Sequence, residues 1–146
     1  VSIIGRDAEK MSRLTEQVSA RLSAVLVDYR DDLCLKEAMR RSIAIHGDFD
    51  LIVAWIHSDA ADALPCVLSA LRRGTDVFHV LGSRANSSGV RNRLTITEDV
   101  CYHQVQLGYQ VVKGQRRWLT YEEIAGGVVE AIQEKKPLYL VGNETR

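Results

Sequence analysis

The feature that most constrains this chain is a repeated alternation between short apolar runs and amphipathic helical periods. Residues 1–5 (VSIIG), 24–28 (AVLVD), 50–56 (DLIVAWI) and 75–81 (TDVFHVL) are rich in β-branched and aromatic side chains. Each is too short for a helix and too continuously apolar for a strand with one wet face. Between them Met11, Leu14, Val18 and Leu22, then Leu35, Met39 and Ile43, then Leu64, Val67, Leu68 and Leu71 recur at helical steps. A strand–helix–strand rhythm repeated three times predicts a Rossmann-like α/β fold. Its parallel sheet has right-handed crossovers and helices on both faces, three layers in all.

Local signals punctuate that rhythm. Asp7 is placed to cap the first helix, Gly47 to end the second, and Ser58 or Asp59 to cap the third, which stops at Gly74. Residues 83–93 (SRANSSGVRNR) are small, polar and basic and predict a flexible loop. Residues 100–112 predict a long strand interrupted at Gly108. Thr120 and Glu123 have capping-box spacing ahead of a helix with Ile124, Val128, Ala131 and Ile132 on its buried face. Residues 137–141 (PLYLV) predict a last strand. No repeat or linker divides the chain, so one domain over residues 1–146 is expected.

Composition narrows the function classes. The 146 residues are 46% hydrophobic and 26% charged, enough to build a core without disulfides or metal. Nineteen basic residues balance nineteen acidic ones, giving no case for a nucleic-acid partner. The apolar runs are far too short to cross a bilayer, and no signal-peptide pattern opens the chain, so no membrane partner is expected. Cys34, Cys66 and Cys101 are odd in number and widely spaced, which fits reduced thiols and a cytoplasmic location. His46, His79 and His103 are scattered and supply no metal-ligand spacing with them.

In a parallel sheet every strand ends on one edge, where loop amides and helix N-termini receive ligands. Four exits belong to that edge: Gly5-Arg6-Asp7, Asp28-Tyr29, Trp55-Ile56-His57-Ser58 and Gly82-Ser83-Arg84. Arg6 also reads as a solvated residue at a helix start, Asp28 as a cap, and His57 as a structural histidine. Arg84, Arg91, Arg93, Arg116 and Arg117 form two basic clusters that read equally as phosphate ligands and as solvated loops. Trp118, just before the capping box, predicts a hydrophobic staple or an interface anchor.

The string VSIIGR, the following helix with Asp7, Glu9 and Lys10, the string VLVDYRD and the unit DFDLIVAWIHS together resemble the short-chain dehydrogenase/reductase family from its second strand onward. The resemblance covers about the first 83 residues well and the remainder loosely. It implies that Arg6 reads the adenosine ribose, favouring the 2′-phosphate of NADP(H). It further implies that Asp28, with Tyr29 beside it, meets the adenine amino group, and that Ala54 lies where backbone passes the cofactor ribose. Ser83 matches the family's catalytic serine, and YQVVK at 109–113 is the one string that supplies its tyrosine and lysine, Tyr109 and Lys113.

Two departures qualify that implication. The family's GxxxGxG turn, which brings backbone donors to the pyrophosphate, occurs nowhere in the sequence. Its strand is expected to be absent from this chain and to lie between the strands at 1–5 and 51–56. The pairing of Tyr109 with Lys113 requires a helix, where i and i+4 meet, whereas VCYHQVQLGYQVV is β-like. The expectation is therefore an NADP(H)-binding relative with oxidoreductase activity weak or lost, a possible pseudoenzyme, without metal and forming a homodimer. The alternative is a non-catalytic assembly or regulatory module acting through that homodimer. The substrate is not specified by these residues.

Overall fold

The structure is a computed structural model that describes residues 1–18, 20–72 and 74–144. It forms two compact units, Val1–Phe49 with His57–Leu71 and Asp50–Ile56 with Arg72–Arg146.

In the first unit, β1 (Ser2–Gly5) and β2 (Ser23–Leu26) pair in parallel, joined through α1 (Ala8–Gln17). Asp7 caps α1 by accepting the Lys10 N–H at 3.0 Å, satisfying one of the donors a helix start leaves open. The helix is shorter than its apolar period predicts. It ends at Val18, which is 55% exposed, and of its stripe only Met11 is buried. Helix α2 (Asp32–His46) is capped by Asp31 and closed by Gly47, whose φ of 85° suits glycine. Leu35 and Met39 form its buried face, as their spacing predicts. Helix α3 (Ala63–Ser69) packs against α2. Its cap position is Asp62, with no side-chain bond, instead of Ser58 or Asp59. Pro65 lies in its first turn, where its missing N–H costs nothing.

The second unit is built on a parallel sheet of order β3-β4-β5-β8, from β3 (Leu51–Ala54), β4 (Thr75–Leu81), β5 (Val100–Leu107) and β8 (Leu138–Val141). Helix α5 (Tyr121–Glu134) covers one face. Phe78, Val80, Val105, Leu107 and Val141 from the sheet meet Ile124 and Ala131 from the helix in one core. Each fully buried side chain of this size contributes on the order of 2 kcal/mol. Gly127 permits the close approach, since a Cβ there lies 2.5 Å from the Val141 methyls. The capping box forms as expected: Thr120 accepts the Glu123 N–H and Glu123 accepts the Thr120 N–H. The staple beside it is Leu119, 3% exposed, packed with Ile124, and Trp118 stands half exposed.

Two further expectations are corrected. Residues 87–93 are not a loop: α4 (Ser87–Arg93) forms there, because Asn86 accepts the Gly89 N–H at 2.9 Å and starts the helix. The strand predicted at 100–112 is two strands. Gly108 breaks it, and β6 (Gln110–Val112) turns back on β7 (Gln115–Arg117) as an antiparallel hairpin. Its two-residue turn, Lys113-Gly114, has φ of 52° and 77°, the left-handed pair that tight hairpins require. Among the described residues the edge strands are β1 and β2 in the first unit and β3 and β8 in the sheet of the second.

Candidate functional site

The ends of β1 and β2 build the clearest charged site. The parallel register places Gly5 beside Leu26, and the Val27 N–H extends the ladder by donating to the Gly5 carbonyl at 3.0 Å. Arg6 and Asp28 leave the two strands side by side, with Arg6 Nη1 3.8 Å from Asp28 Oδ2. Of the three residues expected to converge, Arg6 and Asp28 are neighbours, and Ser83 belongs to the second unit. Tyr29 follows, partly buried.

A third participant, Arg30, is one that the sequence patterns did not single out. Its Nε donates to Asp28 Oδ1 at 3.0 Å and its Nη2 to Oδ2 at 2.5 Å, while its backbone N–H also reaches Oδ1 at 3.1 Å. Side-chain hydrogen bonds from Arg30 first, and the Arg6 charge last, hold the Asp28 carboxyl well below the usual carboxylate range. Arg30 Nη1 also lies 3.8 Å from Asp59 Oδ2. The spacing signal was available, since an Asp-x-Arg at a strand exit lets the guanidinium fold back onto the carboxylate.

The remaining candidates lie in or next to the second unit's sheet. Ala54 ends β3, 8% exposed, with its Cα opposite that of His79 in β4. Ser83 follows β4 in a turn where the Gly82 carbonyl accepts from Gln106 Nε2 at 2.7 Å and from the Ala85 N–H at 3.0 Å. A cavity of about 370 Å³ opens here, lined by Ser83, Asn86, Gln106, Leu138, Leu140 and Glu144 among others. Its apolar floor comes from β8, whose Leu138 and Leu140 are 48% and 40% exposed.

Tyr109 and Lys113 do not share a helix. Tyr109 bridges to Asn143 and is covered by the Arg116 guanidinium, 4.5 Å from its ring centroid. Lys113 sits in the hairpin turn. The helical geometry that brings a lysine ammonium to a tyrosine hydroxyl is therefore not formed at this string.

Two histidines of the sheet carry polar contacts. Burial pushes the His79 pKa down to about 4, and its Nδ1 lies 2.8 Å from the Tyr102 hydroxyl, which also receives Gln104 Nε2. His103 lies between the Lys136 carbonyl at 3.0 Å and Asp76 at 3.2 Å, and Lys135 donates to the other Asp76 oxygen at 2.8 Å. His57 is exposed. Among the described residues no group of three His, Cys, Asp or Glu is placed to hold a metal ion, and no helix is long and apolar enough to cross a membrane.

No protein-family model and no curated protein matches the sequence. Solved structures do match. A putative short-chain dehydrogenase from Novosphingobium aromaticivorans aligns with 97% of this chain and 71% of its own, at 12% identity and a TM-score of 0.66. A short-chain dehydrogenase/reductase from Burkholderia phymatum, in complex with NAD, aligns with 96% of this chain and 79% of its own, at 10% identity and a TM-score of 0.69. A citronellol catabolism dehydrogenase from Pseudomonas aeruginosa covers 97% of this chain and 82% of its own, at 13% identity and a TM-score of 0.66. With parallel strands joined through helices and likeness over nearly the whole chain, this protein has the Rossmann-like fold of the short-chain dehydrogenase/reductases.

Proposed function

We propose that this chain is a short-chain dehydrogenase/reductase-like protein that binds NADP(H) and has weak or no oxidoreductase activity. The observation that carries the reading is the pair Arg6 and Asp28, 3.8 Å apart at the ends of adjacent parallel strands. A guanidinium there fits a ribose 2′-phosphate through paired N–H donors, and a neighbouring carboxylate fits the adenine amino group. The Burkholderia relative was solved with NAD, which supports a nicotinamide nucleotide as the ligand class. By the same resemblance Tyr29 and Ala54 are each assigned to cofactor binding. Ser83, Tyr109 and Lys113 are the residues through which any remaining catalysis runs. Their weakness as a set rests on the bridge that holds Tyr109 to Asn143 and the hairpin turn that holds Lys113.

The pyrophosphate is the part these residues fit least. Its usual backbone donors come from a GxxxGxG turn, and the sequence contains none. We therefore expect modest affinity from residues 1–146 alone. A single Rossmann-like domain over residues 1–146 belongs to the same reading. The free thiols Cys34, Cys66 and Cys101 favour a cytoplasmic setting.

A second reading, a non-catalytic homodimeric module, is favoured by one observation. Val129 of α5 and Leu138 and Leu140 of β8 are 53%, 48% and 40% exposed. The two readings separate on the thermal midpoint with and without about 1 mM NADPH. A binder shifts upward by mass action, and NADPH should shift it more than NADH. A midpoint unmoved by either nucleotide overturns the cofactor reading.

A further inference from the structure

We propose that Arg30 is a specificity-determining residue of the Arg6–Asp28 site, coupling recognition of an adenine amino group to recognition of a phosphate on the ribose. The proposal rests on the nucleotide reading above and adds to it a residue and a direction of selectivity. A carboxylate offers about four lone-pair positions. At Asp28 three N–H groups of Arg30 occupy the two oxygens: the backbone N on Oδ1, Nε shared between Oδ1 and Oδ2, and Nη2 on Oδ2. Arg6 Nη1 approaches Oδ2 from 3.8 Å. An amino group seeking Asp28 thus competes with a guanidinium fork, one of the stronger hydrogen-bonded pairings available to a side chain.

Two features make the fork exchangeable. The Arg30 and Asp28 side chains are 45% and 38% exposed, so water screens the pair. The turn also stands without it. The Asp31 N–H donates to the Asp28 carbonyl at 3.0 Å, and the Asp31 side chain caps α2 through the Leu33 and Cys34 N–H groups. Arg30 can leave Asp28 without undoing the loop or the helix start.

What draws it away is a second anion. A phosphate on the ribose accepts guanidinium forks with the same bidentate geometry as a carboxylate and carries more charge. Arg30 and Arg6 turn to it together, and Asp28 is released to accept the amino group. A nucleotide without that phosphate must break the Arg30 fork unaided. The site therefore discriminates through Arg30 as well as through Arg6, and base and phosphate bind cooperatively.

The test is calorimetric titration of the full chain, at one ionic strength, with adenosine 5′-monophosphate and adenosine 2′,5′-bisphosphate. The wild-type chain should bind the bisphosphate about tenfold or more tightly. In Arg30→Leu the ratio should fall to about threefold or less, because the monophosphate binds more tightly and the bisphosphate more weakly. Arg30→Lys, which keeps the charge and loses the fork, should fall between. Each ratio is taken on one protein sample, so a change in folded fraction cancels. A wild-type chain that discriminates, with the ratio unchanged in Arg30→Leu, overturns the role of Arg30 and leaves the nucleotide reading standing. An Arg30→Lys ratio equal to wild type overturns the exchange of forks. A wild-type chain that binds both probes equally overturns the coupling, and one that binds neither overturns the nucleotide reading itself.

Discussion

His79 is a buried side chain whose protonation opposes folding in acid. The Tyr102 hydroxyl receives the Gln104 N–H and so has its own proton to give, which a neutral His79 Nδ1 accepts. Protonation would remove that acceptor and bury a charge, and the pKa accordingly falls from the ordinary 6.5 to about 4 through desolvation. The folded chain binds this proton less readily than the unfolded chain. The resulting penalty is absent above pH 6.5 and grows as pH falls from 6.5 toward 4. At pH 5 the loss of stability amounts to about 2 kcal/mol, since each tenfold weakening of proton affinity is worth roughly 1.4 kcal/mol. His79→Gln should reduce the difference in urea midpoint between pH 7.5 and pH 5 relative to wild type. An unchanged difference would overturn this role of His79, and Asp76 would not replace it, because the Asp76 contribution is intact at both pH values. The carboxyl there is lowered by the Lys135 hydrogen bond, and it contributes stability that disappears only below the ordinary carboxylate range.

Elements were legible in the sequence where burial wrote a period and illegible where a local bond decided. Strand β4 falls where TDVFHVL predicts because nearly every side chain in it is buried. Helix α4 carries no apolar stripe and has no buried residue; a single Asn86 hydrogen bond starts it, which periodicity cannot register. The hairpin was hidden for a related reason, since its strands are three residues each and mostly exposed. The position of its break was nonetheless readable as Gly108. A Cβ there would lie 1.8 Å from the Asn143 carbonyl oxygen, a backbone atom with no freedom to yield. The Gly108 N–H donates to the Val141 carbonyl at 2.9 Å, so the close approach ties the end of β5 to the end of β8. Gly108→Ala should destabilise by at least about 1–3 kcal/mol, the usual range for overpacking. A thermal midpoint within a degree of wild type would mean the β8 end moves freely. The candidate site divides the same way: strand ends gave Arg6, Asp28 and Ser83, while Arg30 is marked only by a local Asp-x-Arg spacing that carries no burial period.

At the scale of the molecule, the two units hold their strands by very different means. In the second, β4 and β5 each have hydrogen-bonded neighbours on both sides and share a core with α5 that includes Phe78, Val105 and Leu107. In the first, the sheet has two strands, with Leu26 59% exposed and Met11 the one buried side chain of α1. A two-stranded sheet is marginal alone and relies on its packed helices. Opening free energies should therefore differ across the chain, with cooperative segments releasing separately. In native-state hydrogen exchange the amides of β4 and β5 should be the slowest, exchanging only by complete unfolding. Those of β1 and β2 should exchange at least about tenfold faster, with a weaker dependence on denaturant. Edge strand β3 should fall between, because β4 protects one side only. If β1 and β2 exchange as slowly as β5, and with the same denaturant dependence, the chain unfolds as one cooperative body. That outcome would support the single-domain reading.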